Sequence, residues 1–418
     1  MERTAHGTES AGNRRGAGNL RFGIQMLSVV SMIASCSEPA QRGTSTPATS
    51  TPVTSAPVTA GAGPDGSIAA FDCGKIQGPK SKNSFYEDNP TYIDPVDDSA
   101  SWRMSDPEAQ GMNSSGLERA STKLAALPYT SSFLVIRRGA LVFERYYHGS
   151  AKNQSNNVHS ASKSIWGAAI GIAIDQGRIP GADATIASIL PSRYVRMMSA
   201  ETRTIKVRDL LTMSSGSRWQ EDVTENRIER TSDWVAAILK LPRAARPGTR
   251  FNYSTGDTHL SSAVLTSATG TTACEFTHRH LLAPMGVVAE HWGSDPQGYS
   301  SGGYNFYVTP RELAKFGLLY LQDGRWNGRQ LVPAAWVRAS MTNQVDAGVP
   351  YSYGYGFWLR DIAGHRVAMA WGYGGQMIYL IKDLDLVVVI TTNTRNFDQD
   401  DFNGRSIIED VVLPAAGR

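Results

Sequence analysis

The chain has 418 residues, 41 % of them hydrophobic, and a formal net charge of +3. That is enough for one large domain or two modest ones with a full core. The small charge, with no basic run or stripe, gives nucleic-acid binding no electrostatic footing, and no apolar run reaches the ~18 residues of a membrane-spanning helix.

Residues 1–36 read as a targeting segment rather than as fold. Arg14, Arg15 and Arg21 make a basic start, residues 22–33 (FGIQMLSVVSMI) a short apolar run, and small residues follow. The end, Ile33-Ala34-Ser35-Cys36, resembles a bacterial lipobox. The resemblance implies lipidation of Cys36, a lipid anchor to membrane and a place in the bacterial cell envelope outside the cytoplasm. A plain secretory signal, giving a secreted or periplasmic protein, is the alternative. Residues 37–66 form a Ser/Thr/Pro-rich linker. Such a composition buries too little apolar surface to offset its ordering entropy, and its prolines favour extended chain. Residues 67–98 are transitional, and 99–418 are the globular domain. Cys73 and Cys274 are far apart in sequence, which fixes no distance in space, so a disulfide between them stays open.

Within the domain, residues 117–127 read as a short helix. Two β-rich runs, 133–136 and 141–147, flank a turn at Arg138-Gly139, a hairpin signal. The stretch "HSASKSIWGAAIGIAIDQG" from His159 onward follows as an apolar helix with a polar entrance. Residues 205–290 are mostly helical: "VRDLLTMSSG" ends in a glycine stop, and "DWVAAILKL" is halted by Pro242. A helix is expected over 310–321, with Pro310 at its start and an apolar stripe behind it. Strands follow at 355–360, 366–371, 377–381 and 386–391, and a last helix at 404–412. Strands at both ends with helices between them predict an α+β fold: an antiparallel sheet completed by distant segments, flanked by helices, with a helical domain inserted.

The polar entrance carries the chemistry. A serine hydroxyl is a weak nucleophile and needs a group to take its proton. Ser160 and Lys163 stand three apart, on one face of a helix. Burial and the positive end of the helix dipole both lower a lysine's pKa from ~10.4, so Lys163 can share proton traffic with Ser160. The plain alternative is that Ser160 caps the helix and Lys163 is solvated. Ser162 and Ser164 have no lysine three residues on. Further along, "PGTRFNYSTGDTHL" offers the Tyr253 phenol, and "AWGYGGQ" a glycine-dense strand edge that lets a substrate approach backbone N–H groups.

Ser160-Ala161-Ser162-Lys163, Tyr253-Ser254-Thr255 and Trp371-Gly372-Tyr373-Gly374-Gly375 together resemble the three motifs of the serine β-lactamase and penicillin-recognising superfamily. The resemblance covers residues 99–415 and is nearest to the class C-like branch of family esterases and 6-aminohexanoate-dimer hydrolases. It implies a β-lactamase-like fold and an acyl-enzyme mechanism. Ser160 is then the nucleophile, Lys163 its activator and Tyr253 the proton shuttle to the leaving group. The backbone N–H groups of Ser160 and Tyr373 form the oxyanion hole. Two departures bear on substrate. Thr255 stands where the family commonly has Asn, and Ala370-Trp371-Gly372 stands where β-lactamases have Lys-Thr-Gly. The missing lysine would have bound a substrate carboxylate, and Trp371 instead sets an aromatic wall, with Gly372, Gly374 and Tyr304 completing the pocket. The expected function is a serine hydrolase of small ester or amide substrates, short amide oligomers included. The alternatives are a β-lactamase or D-Ala-D-Ala carboxypeptidase, and a non-catalytic binding lipoprotein. The chemistry requires neither cofactor nor metal.

Rival signals are weaker. "GYSSG", residues 298–302, centres Ser300 in Gly-x-Ser-x-Gly, but neither a buried strand precedes it nor a helix follows. Tyr304 and Tyr307, just beyond, read as surface tyrosines if they do not line the pocket. His159 is read as structural, and His278 and His280 as surface residues without the partners of a zinc site. Asp257 and His259 either orient the tyrosine loop or, for Asp257, cap a helix. Trp219 and Glu221 reach the pocket rim, unless Trp219 simply packs.

Overall fold

The structure, a computed structural model, describes residue 73 and residues 102–287, 291–394 and 404–417. Cys36 and the linker lie outside these residues. The expected hairpin is strand β1 (Thr130–Arg137) and strand β2 (Ala140–Tyr146). Arg138 and Gly139 both have positive φ, 49° and 74°, the two-residue turn whose twist matches that of the flanking strands. The later strands are β3 (Val345–Asp346), β4 (Ser352–Tyr353), β5 (Trp358–Ile362), β6 (His365–Gly372), β7 (Gln376–Ile381) and β8 (Leu386–Thr392). They join the hairpin in one eight-stranded sheet, order β2-β1-β8-β7-β6-β5-β4-β3. The paired strands run antiparallel, with β1 from the start of the domain beside β8 from near its end. The sequence expectation of a sheet closed by distant segments holds.

Both faces of this sheet are covered. Leu134 and Ile136 of β1, with Val387 and Val389 of β8, face one core. Phe133 and Val135, with Val388 and Ile390, face a second. A strand buried on both faces has no polar register, which is why "FLVI" and "LVVVI" read as continuous apolar runs. Helix α1 (Ser114–Ala125) and the C-terminal helical segment pack on the second face. Helix α4 (Pro310–Leu321) packs on the first. Thr309 caps α4 in a capping box with Glu312, and Pro310 supplies the preset φ of a first helical position. Helix α2 (Ser162–Asp175) is buried from Ser162 through Ala173, so it is apolar on every side, and it packs against helix α3 (Thr255–Thr269).

Several sequence expectations change here. Ser160 does not lie in α2 and does not cap it: it sits in a 3-10 turn, His159–Ala161, and no side chain caps the helix. Ser254, not Asp257, caps α3, its Oγ accepting from the Asp257 N–H at 3.1 Å. Tyr304 and Tyr307 are not surface residues: they are 4 % and 0 % exposed, drawn in by the aromatic packing around the short strand Phe306–Val308. His278 and His280 are half-buried, in the π-helical turn His278–Leu282.

Cys73 and Cys274 form a disulfide, with their Cα atoms 5.7 Å apart, the pairing the sequence left open. The bond ties chain ahead of the sheet to the short helix Ala273–Thr277, and such bonds persist in oxidising compartments outside the cytoplasm. Cys274→Ser is expected to cost about 2–4 kcal/mol by releasing a long loop in the unfolded chain. Urea unfolding under non-reducing conditions checks this, and equal midpoints for variant and wild type would refute it.

Candidate active site

Four segments meet at Ser160. The His159–Ala161 turn presents the hydroxyl, and Ser160 is half-exposed whereas Ser162 is fully buried and Ser164 donates its Oγ–H to the Gly356 carbonyl at 2.6 Å. Lys163, in the first turn of α2, is 1 % exposed, and its Nζ lies 2.9 Å from Ser160 Oγ. The same Nζ is 3.0 Å from Thr255 Oγ1 and 3.5 Å from the Gly303 carbonyl oxygen. Burial pushes the Lys163 pKa down, partly offset by the carboxylates of Glu221 and Glu225.

Tyr253 arrives on the loop ahead of α3, its ring centroid 5.2 Å from Lys163 Nζ and its phenol beside the Ser160 side chain. Burial raises the phenol pKa well above its ordinary value, with the Tyr353 phenol and the Glu221 carboxylate adding to it. The loop is held from below. Asn252 donates to the carbonyls of Ser217 and Trp219 at 3.2 and 3.0 Å. Asp257 accepts from the Ser215 Oγ–H at 2.6 Å and the Ser215 N–H at 3.2 Å, so it pins the "TMSSG" turn to the tyrosine loop. Burial raises the Asp257 pKa to about 7.

The glycine-dense edge lies directly against the nucleophile turn. A Cβ on Gly372 would stand 2.2 Å from the Val158 carbonyl oxygen and 3.1 Å from the Ala161 nitrogen, so only glycine lets β6 approach this closely. Tyr373 follows, its ring 5.6 Å from that of His159. His159 is 3 % exposed with φ +45°, and burial beside Lys163 holds its pKa down at about 3. A ring kept neutral in this way is not poised as a general base. Gly374, at φ +78°, packs on Thr394. Trp371 lies 5.9 Å from Trp358, which stacks on Tyr253 at 5.5 Å, so the aromatic wall stands behind the tyrosine.

On the other side of Thr255 a cavity opens, lined among others by Trp219, Glu225, Glu229, His259 and Tyr304. Tyr304 donates its hydroxyl to Glu229 at 2.5 Å. Glu225 is 2 % exposed, and burial together with neighbouring Glu221 and Glu229 raises its carboxyl pKa well above the usual range. Of the residues expected in the pocket, Tyr304 lines this cavity.

Ser300 is no competitor. It is 3 % exposed, and its Oγ accepts from the Cys274 N–H at 3.1 Å. The loop after it does contribute, through a residue that sequence reasoning passed over. A Cβ on Gly303 would sit 2.2 Å from Lys163 Nζ. Gly303→Ala is therefore expected to push the amine off Ser160 and lower kcat/KM by about 100-fold, the scale of a 1 Å misplacement. Steady-state kinetics with a thermal midpoint as control checks it; activity within twofold of wild type would refute it. Glu225 also escaped the sequence reading, because nothing local distinguishes it from a solvated glutamate.

The model of the beta-lactamase family matches residues 129–413. The 6-aminohexanoate-dimer hydrolase of Paenarthrobacter ureafaciens is 24 % identical over 287 residues, which are 62 % of this chain and 71 % of that protein. A solved Bacillus anthracis chain assigned as a 6-aminohexanoate-dimer hydrolase superposes with a TM-score of 0.62 at 18 % identity, over 71 % of this chain and 81 % of its own. EstCE1, a hydrolase with promiscuous acyltransferase activity, superposes with a TM-score of 0.59 at 16 % identity, over 74 % and 100 %. At such identities the likeness to the two solved structures speaks for the fold alone.

Proposed function

The chain belongs to the beta-lactamase family, and from that premise we propose that it is a serine hydrolase that works through an acyl-enzyme on small ester or amide substrates. The observation that carries the reading is the half-exposed Ser160 hydroxyl held 2.9 Å from a buried lysine amine. The environments drive the two titratable partners apart, lysine down and tyrosine up, and such a split assigns base and acid. Neutral Lys163 takes the Ser160 proton as Oγ bonds to the substrate carbonyl carbon. The Ser160 and Tyr373 N–H groups receive the oxyanion. Tyr253, kept protonated, gives its proton to the leaving group as the carbonyl–heteroatom bond breaks, and the Lys163 ammonium restores it. Water then attacks the acyl-enzyme by the same steps in reverse and releases Ser160.

Short amide oligomers are the favoured substrates. The aromatic cluster of Trp358 and Trp371 suits their methylene chains. The absence of lysine at Ala370-Trp371-Gly372 disfavours a β-lactam or D-Ala-D-Ala carboxylate. Lipidation at Cys36 remains part of the proposal, tested by a diacylglyceryl mass on that residue in membrane-extracted protein.

The experiment for the hydrolase reading is intact mass after incubation with a fluorophosphonate. One adduct is expected on wild-type protein and none on Ser160→Ala. Folded wild type that takes no adduct would overturn the reading and favour a binding protein. Turnover of a chromogenic cephalosporin faster than of amide dimers would instead favour a β-lactamase.

A further inference from the structure

The Ser160–Lys163 contact by itself does not say which group donates. The surroundings do, once donors are counted. Glu221 Oε1 is hydrogen-bonded to Thr255 Oγ1. Glu221 Oε2 accepts from the Thr255 N–H at 3.1 Å and from the Trp219 indole N–H. Two N–H donors thus converge on one carboxylate, the arrangement that suits an anion. An ionised carboxylate only accepts, so the single proton of the Thr255 hydroxyl points to Glu221. The Thr255 oxygen then offers Lys163 nothing but a lone pair, at 3.0 Å. The Gly303 carbonyl at 3.5 Å is likewise an acceptor. A neutral lysine has two N–H bonds and one lone pair. With both N–H bonds taken by Thr255 and Gly303, the lone pair is left for Ser160.

We infer that Glu221 is a positioning residue for Lys163: through Thr255 it fixes the direction of the hydrogen bonds so that the amine accepts the Ser160 proton. The inference rests on the hydrolase reading above, and it gives Thr255, in the place of the family's usual Asn, a defined task as acceptor for the amine. The carboxylate acts in a second way, as the largest charge opposing the effect of burial on Lys163. The other titratable groups around the amine are Glu225 and Tyr253, whose pKa values burial raises, and His159, kept neutral at physiological pH. Of these, only Glu225 adds to the favourable charge beside Lys163, and less than Glu221 does.

The test measures the rate of fluorophosphonate labelling at Ser160 against pH. It compares wild type, Glu221→Gln, Glu221→Ala, Thr255→Val and the Glu221→Ala/Thr255→Val double variant, each checked for fold by its thermal midpoint. Glu221→Gln loses the charge and sets an NH2 group among the donors that now face the carboxylate. Its acid limb is expected to move down by about one pH unit or more. Glu221→Ala and Thr255→Val are each expected to lower the plateau about tenfold or more, and the double variant no further, since the two act in series. An unmoved acid limb in Glu221→Gln, or losses that multiply in the double variant, would overturn the inference while leaving Ser160 as nucleophile. Wild type that fails to label at all would instead bring down the hydrolase reading, and this inference with it.

Discussion

Ser160→Ala is expected to lower kcat/KM by roughly 10⁴- to 10⁶-fold with little change in stability. The magnitude follows from what the hydroxyl does. Without Oγ no acyl-enzyme forms, and the remaining groups only bind substrate and offer oxyanion donors, which leaves modest residual catalysis over water. Lys163 in the variant faces a methyl group, and its own contacts to Thr255 Oγ1 and the Gly303 carbonyl persist. The fold therefore has little reason to shift, and the substrate KM is expected to change by no more than a few-fold. Kinetics on the best ester or amide found by screening, with thermal midpoints alongside, decides this. Residual activity above about 1 % of wild type would mean that the proton and the nucleophile lie elsewhere.

Lys163→Met is expected to reduce kcat/KM by about 10²- to 10⁴-fold, the range of a lost general base, and to leave the protein at least as stable. The second half is the more telling. A lysine 1 % exposed has been moved out of water, and methionine fills a similar volume without that penalty. The pH dependence follows with a definite sign. The lysine's folded pKa lies below its ordinary value, so the unfolded chain binds the proton more tightly and wild-type stability rises with pH. The variant's advantage is full below the folded pKa and fades as pH climbs toward ~10.4, where the unfolded lysine also loses its proton. Denaturation of both proteins at neutral pH and near pH 10 measures it. A variant destabilised equally at both values would show that the lysine serves packing rather than proton transfer.

The elements of the fold were largely legible. The hairpin, α4 and the last strands of the sheet were anticipated within a few residues, because capping residues, a prolyl start and unbroken apolar runs are local signals. The antiparallel sheet closed by distant segments followed from the order of those elements, and the family from three short motifs. Among the residues of the site, the sequence could single out Ser160 and Lys163, since three residues of separation in a helical stretch keep two side chains on one side whatever the rest of the chain does. Position along the chain also put Gly372 and Tyr373 at a strand end.

What lay beyond local pattern was decided by chain crossings. The 3-10 turn that holds Ser160 lies against Gly372 of β6, more than 200 residues away in sequence. Glu221 reaches the Thr255 hydroxyl, and Gly303 leaves room for the lysine amine, from loops that no periodicity ties to the motif. Burial of Tyr304 and of Glu225, and the pairing of Cys73 with Cys274, likewise belong to packing. The physical reason is common to all of them. The sequence alone determined which groups can give or take a proton and which stretches bury an apolar face, whereas solvent exclusion and donor counts arise only where several segments converge. Those two quantities set whether Lys163 is a base or a cation, and only the tertiary structure supplies them.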